Sequence, residues 1–77
     1  MIALSNLPKN SRGIIKLVNT TGYSQQELTA IGLTVGTKIK IKHVINSHIV
    51  FEACIEDRKE RANIPIHEAL KVLVLPI

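Results

Sequence analysis

The groups able to act as acids, bases, nucleophiles or metal ligands are few: His43, His48, His67, Cys54, Glu52, Glu56, Asp57, Glu60 and Glu68. No C-x-x-C, H-E-x-x-H or calcium-loop pattern joins them. His67 and Glu68 are adjacent, and adjacent helical residues do not share a face. His48, Glu52 and Cys54 are separated by even numbers and fall on one side of a strand. The one metal candidate is therefore a soft transition-metal site using His48 and Cys54. Its plainer rival is a loop histidine beside a small half-buried thiol. Cys54 has no base placed near it by the sequence, so nucleophilic catalysis is not expected. Gly32 and Gly36 bracket Leu33-Thr34-Val35 and read as structural turns rather than a phosphate cradle. No enzymatic activity and no tightly bound cofactor are expected.

The remaining concentrated feature is Lys38, Lys40 and Lys42, a stripe on one side of a strand whose other side carries Ile39 and Ile41. Net charge is +4. This excess suits an acidic partner, an acidic membrane surface or nucleic acid, and equally a strand face kept wet against edge pairing. Only Phe51 and Tyr23 are aromatic, so the chain is poor in the stacking residues of nucleic-acid platforms. A single cysteine forms no internal disulfide and fits a reducing compartment. The opening MIALSNLPKN lacks the pattern of a signal peptide, and no apolar run is long enough to span a bilayer. A cytoplasmic protein without direct membrane insertion is expected.

The elements that must position these groups centre on Ser24 to Val44. Ser24 and Glu27 have capping-box spacing, and Tyr23 with Leu28 has the spacing of a hydrophobic staple. Gly32 ends the short helix and Gly36 supports a second turn. The strand after Gly36 breaks its alternation at Val44-Ile45, which predicts a bulge or a bend there. Earlier, Ile2 to Leu4 reads as a short strand, and Ser5 to Pro8 and Asn10 to Gly13 as turns leading into the strand Ile14 to Val18. Later, Asn46-Ser47-His48 is a loop, Ile49, Phe51, Ala53 and Ile55 face the core, and Asp57 to Glu60 forms a loose charged turn. A strand from Arg61 to Ile64, a single helical turn from Ile66 to Leu70 and a closing strand from Lys71 to Leu75 complete the chain. Five or six short strands with one short helix, in a single domain over residues 1–77, predict a mostly β fold. A small, strongly bent antiparallel barrel buries one face of each strand.

The order Leu4-Ser5-Asn6-Leu7-Pro8, then Gly13, then Glu27-Leu28-Thr29-Ala30-Ile31-Gly32-Leu33-Thr34-Val35-Gly36-Thr37-Lys38-Ile39, and finally Ile64, His67 and Glu68-Ala69, resembles the ferrous iron transport protein A family. The match spans nearly the whole chain. The resemblance implies a Src-homology-3-like barrel with one inserted helix. It also implies an accessory role in ferrous iron uptake: docking on a membrane ferrous iron permease that carries a cytoplasmic GTP-binding region. It places the partner surface at Leu7, Leu28, Ile31, Leu33 and Gly36, while Gly13, Ser24, Glu27, Gly32 and Gly36 are the structural turns and cap read from local sequence. A weak site for Fe2+ or another transition metal, and a homo-oligomer, stay open.

Two rivals come from other classes. The run from Leu28 to Ile41 is similar to the helix–turn–strand of swapped-hairpin DNA-binding regulators, in which the lysine stripe would meet phosphates. Nucleic acid is nonetheless not favoured, because the proline-led segment expected before that helix is absent. The second rival is an iron-responsive adaptor domain, which requires His or acidic side chains to converge.

Overall fold

Alternation of Ile with Lys and of Phe or Ala with Glu or Cys forces the middle of the chain into strands that bury one face. The computed structural model, describing residues 1–77, shows where those faces meet. Strands β1 (Ile2–Ala3), β2 (Arg12–Val18), β3 (Lys38–Ile45), β4 (His48–Ile55), β5 (Arg58–Pro65) and β6 (Val72–Pro76) form one antiparallel sheet in the order β1-β6-β2-β3-β4-β5. Helix α1 (Gly22–Ile31) lies between β2 and β3, and the one-turn helix α2 (Ile66–Ala69) between β5 and β6. The inner face is a cluster of 15 buried apolar residues. Ile39, Ile41, Ile49, Phe51 and Ala53 all belong to it, as the alternation predicts. The protein is mostly β, with a Src-homology-3-like fold.

Both central hairpins are tight. Ile45 pairs with His48 around Asn46-Ser47, whose φ values are 50° and 61°. His48 is thus a strand residue rather than part of the loop. Ile55 pairs with Arg58 around Glu56-Asp57, with φ values of 49° and 67°. Two consecutive left-handed residues match the type I′ turn, whose twist suits a hairpin. The loose turn expected at Asp57–Glu60 is not formed. Keeping Phe51 and Ala53 on β4, and Ala62 and Ile64 on β5, on the core side fixes the register. That register leaves two residues to turn, although neither is glycine.

Other boundaries also move. Leu4–Asn6 form a 3-10 turn that buries Leu4. The bulge in β3 falls between Ile41 and His43, not at Val44-Ile45, and a second occurs in β2 between Ile15 and Leu17. Gly13 is not a turn residue. It lies within β2 opposite Pro76 and Ile39, with an ordinary φ, and its bare Cα faces Val74.

A candidate docking surface around helix α1

Helix α1 is fastened by side chains from elsewhere in the chain. Ser24 is not its cap: the helix begins earlier, at Gly22 (φ 57°), with extended Thr21 in the capping position. Ser24 is therefore inside the helix and buried. It shares the core-facing stripe with Leu28, four residues on. Glu27 is exposed, Tyr23 is 91% exposed, and neither the capping box nor the staple forms.

The capping role passes to Glu68 on α2. Its Oε1 accepts a hydrogen bond from Thr21 Oγ1 at 2.8 Å, and its Oε2 accepts from the Thr21 backbone N–H at 3.4 Å. Lys71 Nζ lies 3.6 Å from Oε2. A carboxylate at this end also complements the positive pole of the helix, whose own first turn contains no acid. At the other end, Arg58 Nη2 donates to the Ile31 carbonyl at 3.4 Å, beside the negative pole.

The Thr21 hydroxyl hydrogen bond is the main cause that holds the Glu68 carboxyl below its ordinary value of 4.5. The Thr21 N–H and Lys71 act in the same direction, and burial opposes them. A folded-state pKa below the unfolded one gives stability that is present above pH 4.5 and lost as pH falls through the lowered value. Glu68→Gln is expected to flatten the acid limb of a stability–pH curve while leaving its alkaline limb unchanged. An acid limb of unaltered slope in urea titrations would refute this.

Gly32 closes α1 with φ 88°, and its N–H bonds back to Leu28 and Thr29. The following turn is tightly held. The Leu33 N–H donates to Leu28 O at 3.0 Å, and the Gly36 N–H to Ile15 O at 2.8 Å. Thr37 Oγ1 accepts from the Thr34 N–H at 3.1 Å, and the Thr37 N–H returns to Thr34 O at 3.1 Å. Gly36 adopts φ 97° with open space around it. This fixed turn carries Val35 outward, 62% exposed, beside an open cleft lined also by Thr34, Thr37, Ile55 and Glu56.

The surface expected from the sequence is thereby redrawn. Leu7, Leu28 and Leu33 are buried in the core: Leu28 and Leu33 because helix and turn fold inward over the sheet, and Leu7 because the 3-10 turn before it does the same. Ile31 is half-buried against that core, and Gly36 is exposed. Leu7, Pro8, Leu28, Leu33 and Val35 are more apolar residues than so small a core holds at its centre, and which of them stays outside has no periodic signature in a turn.

The metal candidates separate. His48 and Cys54 stand at opposite ends of β4, six residues apart. At the rise of an extended strand that is about 20 Å, too far for one ion to touch both. His48 Nδ1 lies 3.0 Å from the Asn46 carbonyl. No three His, Cys, Asp or Glu side chains converge, so the adaptor reading has no cluster to rest on. The swapped-hairpin reading fails on topology: α1 and its turn lead into β3, which pairs with β2 and β4 of the same chain in one sheet.

Known proteins share this architecture. A crystal structure of an iron uptake regulatory protein (FeoA) superposes with TM-score 0.76 at 22% identity, over 99% of this chain and 97% of that one. A FeoA-like protein from Clostridium acetobutylicum gives 0.68 at 20% identity, over 99% and 86%. A manganese-dependent transcriptional repressor in complex with manganese gives 0.76 at 10% identity, over 97% of this chain but 36% of the repressor. At these identities the likeness is one of fold. No curated protein matches the chain. The family model described as the FeoA domain matches residues 2–76. With nearly every residue inside that match, the chain belongs to the FeoA domain family.

Proposed function

We propose that this protein, a FeoA-family member associated with ferrous iron uptake, is a non-enzymatic cytoplasmic accessory module. It docks on a membrane ferrous iron permease, at the permease's cytoplasmic GTP-binding region, and modulates or assembles it. It needs no tightly bound cofactor to do so. The observation that carries this reading is Val35, an exposed apolar side chain on a turn locked by four backbone-donated hydrogen bonds. A preordered apolar contact loses little conformational freedom on binding, which is what favours a small docking patch. Ile31 and Ile55, half-buried nearby, extend it. The fold also has no helix long and apolar enough to cross a membrane.

The test is to record amide spectra of labelled protein while adding the GTP-binding region, with and without nucleotide. Shifts are expected over Gly32 to Thr37. Val35→Asp is expected to abolish them with an unchanged thermal transition. Leu33→Glu places a charge in the core and is expected to cost about 2 kcal/mol or more of stability, so its binding loss accompanies unfolding. No shifts in either nucleotide state would overturn the reading. So would binding that survives Val35→Asp.

A further inference from the structure

The sheet has an outer face whose composition differs sharply from the rest of the molecule. Burial alternates along β3 from Lys38 to Lys42, along β4 from Phe51 to Cys54 and along β5 from Arg61 to Ile64, so Ile39, Ile41, Phe51, Ala53 and Ala62 point inward and Lys38, Lys40, Lys42, Glu52, Cys54 and Arg61 outward. Strand register then lines the outward residues into two rows. One runs Leu75, Ile14, Lys38, Cys54, Lys59, and the other Arg12, Lys40, Glu52, Arg61. Ile77 extends the second row, its N–H bonded to the Arg12 carbonyl at 3.1 Å.

Arg12, Lys38, Lys40, Lys42, Lys59 and Arg61 make six of the ten basic residues, and Glu52 is one of the six acids. The side chains of this face therefore carry five net positive charges, and the other four basic and five acidic side chains sum to minus one. The lone acid does not neutralise it. Glu52 is shared between Lys42 Nζ at 3.9 Å and Arg61 Nη2 at 4.0 Å. Between the rows lies a groove of about 350 Å³ bordered by Arg12, Lys38, Lys40 and Lys59. Beside it, Leu75 and Ile77 are exposed, Ile77 at 65%.

We propose that this face adsorbs to an anionic phospholipid surface. The lysines and arginines lie over the headgroups, and Leu75 and Ile77 enter the interfacial layer. Two properties select this occupant. Cations spread over a sheet face and bordered by exposed aliphatic residues match a surface that is anionic outside and apolar beneath. Single-stranded nucleic acid fits poorly, since the face has no aromatic side chain for base stacking, and duplex DNA would leave the exposed Leu75 and Ile77 without an apolar partner. Adsorption goes beyond permease docking and does not depend on it. The basic groove and the cleft beside the Val35 turn adjoin at Cys54, but the cations line the first and Val35 the second.

The test is co-sedimentation of the full chain with vesicles of mixed phosphatidylglycerol and phosphatidylcholine, against vesicles of phosphatidylcholine alone. Binding is expected only with the anionic lipid and is expected to fall steeply with added salt. Each lysine near an anionic surface contributes about five-fold to partitioning. The double variant Lys38→Glu/Lys59→Glu, both residues being exposed, is thus expected to lose roughly twenty-fold or more. Lys16→Glu, in the β2 bulge and outside both rows, is the control and is expected to change little. Circular dichroism confirms that each variant is folded before binding is read. Absence of binding to the anionic vesicles at physiological salt would overturn the proposal. Equal binding to neutral vesicles, or losses in the control matching the double variant, would do the same. Tighter binding to polyglutamate or duplex DNA than to the vesicles would assign the face to another occupant.

Discussion

Phe51→Ala is expected to remove a large share of the protein's stability. Phe51 is fully buried at the centre of β4, and it is the largest side chain in a core otherwise built from Leu, Ile, Val and Ala. Truncating a buried phenylalanine costs about 3–5 kcal/mol, from lost burial and from the cavity left behind. A chain of 77 residues has a total stability of only about 4–12 kcal/mol. Neighbours have little freedom to collapse into the gap. Ile41 and Ala62 are held opposite Phe51 by the β3 and β5 ladders. Urea unfolding followed by circular dichroism should show a midpoint displaced far downward. Phe51→Leu, which retains most of the volume, should fall between. An unfolding free energy for Phe51→Ala within about 0.5 kcal/mol of the parent would show that the core is not organised around this residue.

Gly13→Ala is expected to destabilise by about 1–3 kcal/mol, the usual cost of forcing an extra carbon into a packed core. Propensity alone predicts the opposite sign, because glycine within a strand is unfavourable relative to alanine by about 0.5–1 kcal/mol. The decision rests on space. A Cβ at Gly13 would overlap Val74 Cγ1 and stand 3.1 Å from the Leu75 carbonyl oxygen. Val74 is fully buried and β-branched, and its strand is paired to β1 and β2 on both sides. It has no easy retreat. In a Val74→Ala background, where the offending methyl is gone, Gly13→Ala should cost at least about 0.5 kcal/mol less, since contacting residues couple on that scale. Equal costs in both backgrounds would locate the strain elsewhere. A stabilising Gly13→Ala would show that propensity, not packing, governs this position.

These two positions also mark how far the sequence could be read. Phe51 was placed in the core from alternation, because a strand's period of two is local and survives in any sheet that buries one face. The same reasoning correctly placed Ile39 and Ile41 inside and the lysine stripe outside. Gly32 and Gly36 were legible because a left-handed turn is a property of a few consecutive residues. The single turn at Ile66 to Leu70 was found for the same reason, from its position after Pro65. The family resemblance, carried by the order of these local signals, agrees with the domain match.

Gly13 could not be read in this way. Its need for a bare Cα comes from Val74, sixty-one positions along the chain. The cap of α1 followed the same logic. Ser24 and Glu27 offer a local capping box, but burial of Ser24 with Leu28 pulled the helix start back to Gly22, and Glu68 took over from a distant helix. Leu7, Leu28 and Leu33 had the right residue type for a docking face and are buried in the core, because one helix residue and two turn residues carry no periodicity that separates an inner from an outer face. The sequence by itself determined which residues alternate, where the chain turns and hence a small β fold. The tertiary structure alone decided which apolar groups remain exposed, which charges meet and which glycine is crowded. Those depend on register between strands and on contacts far apart in the chain, and no local pattern encodes them.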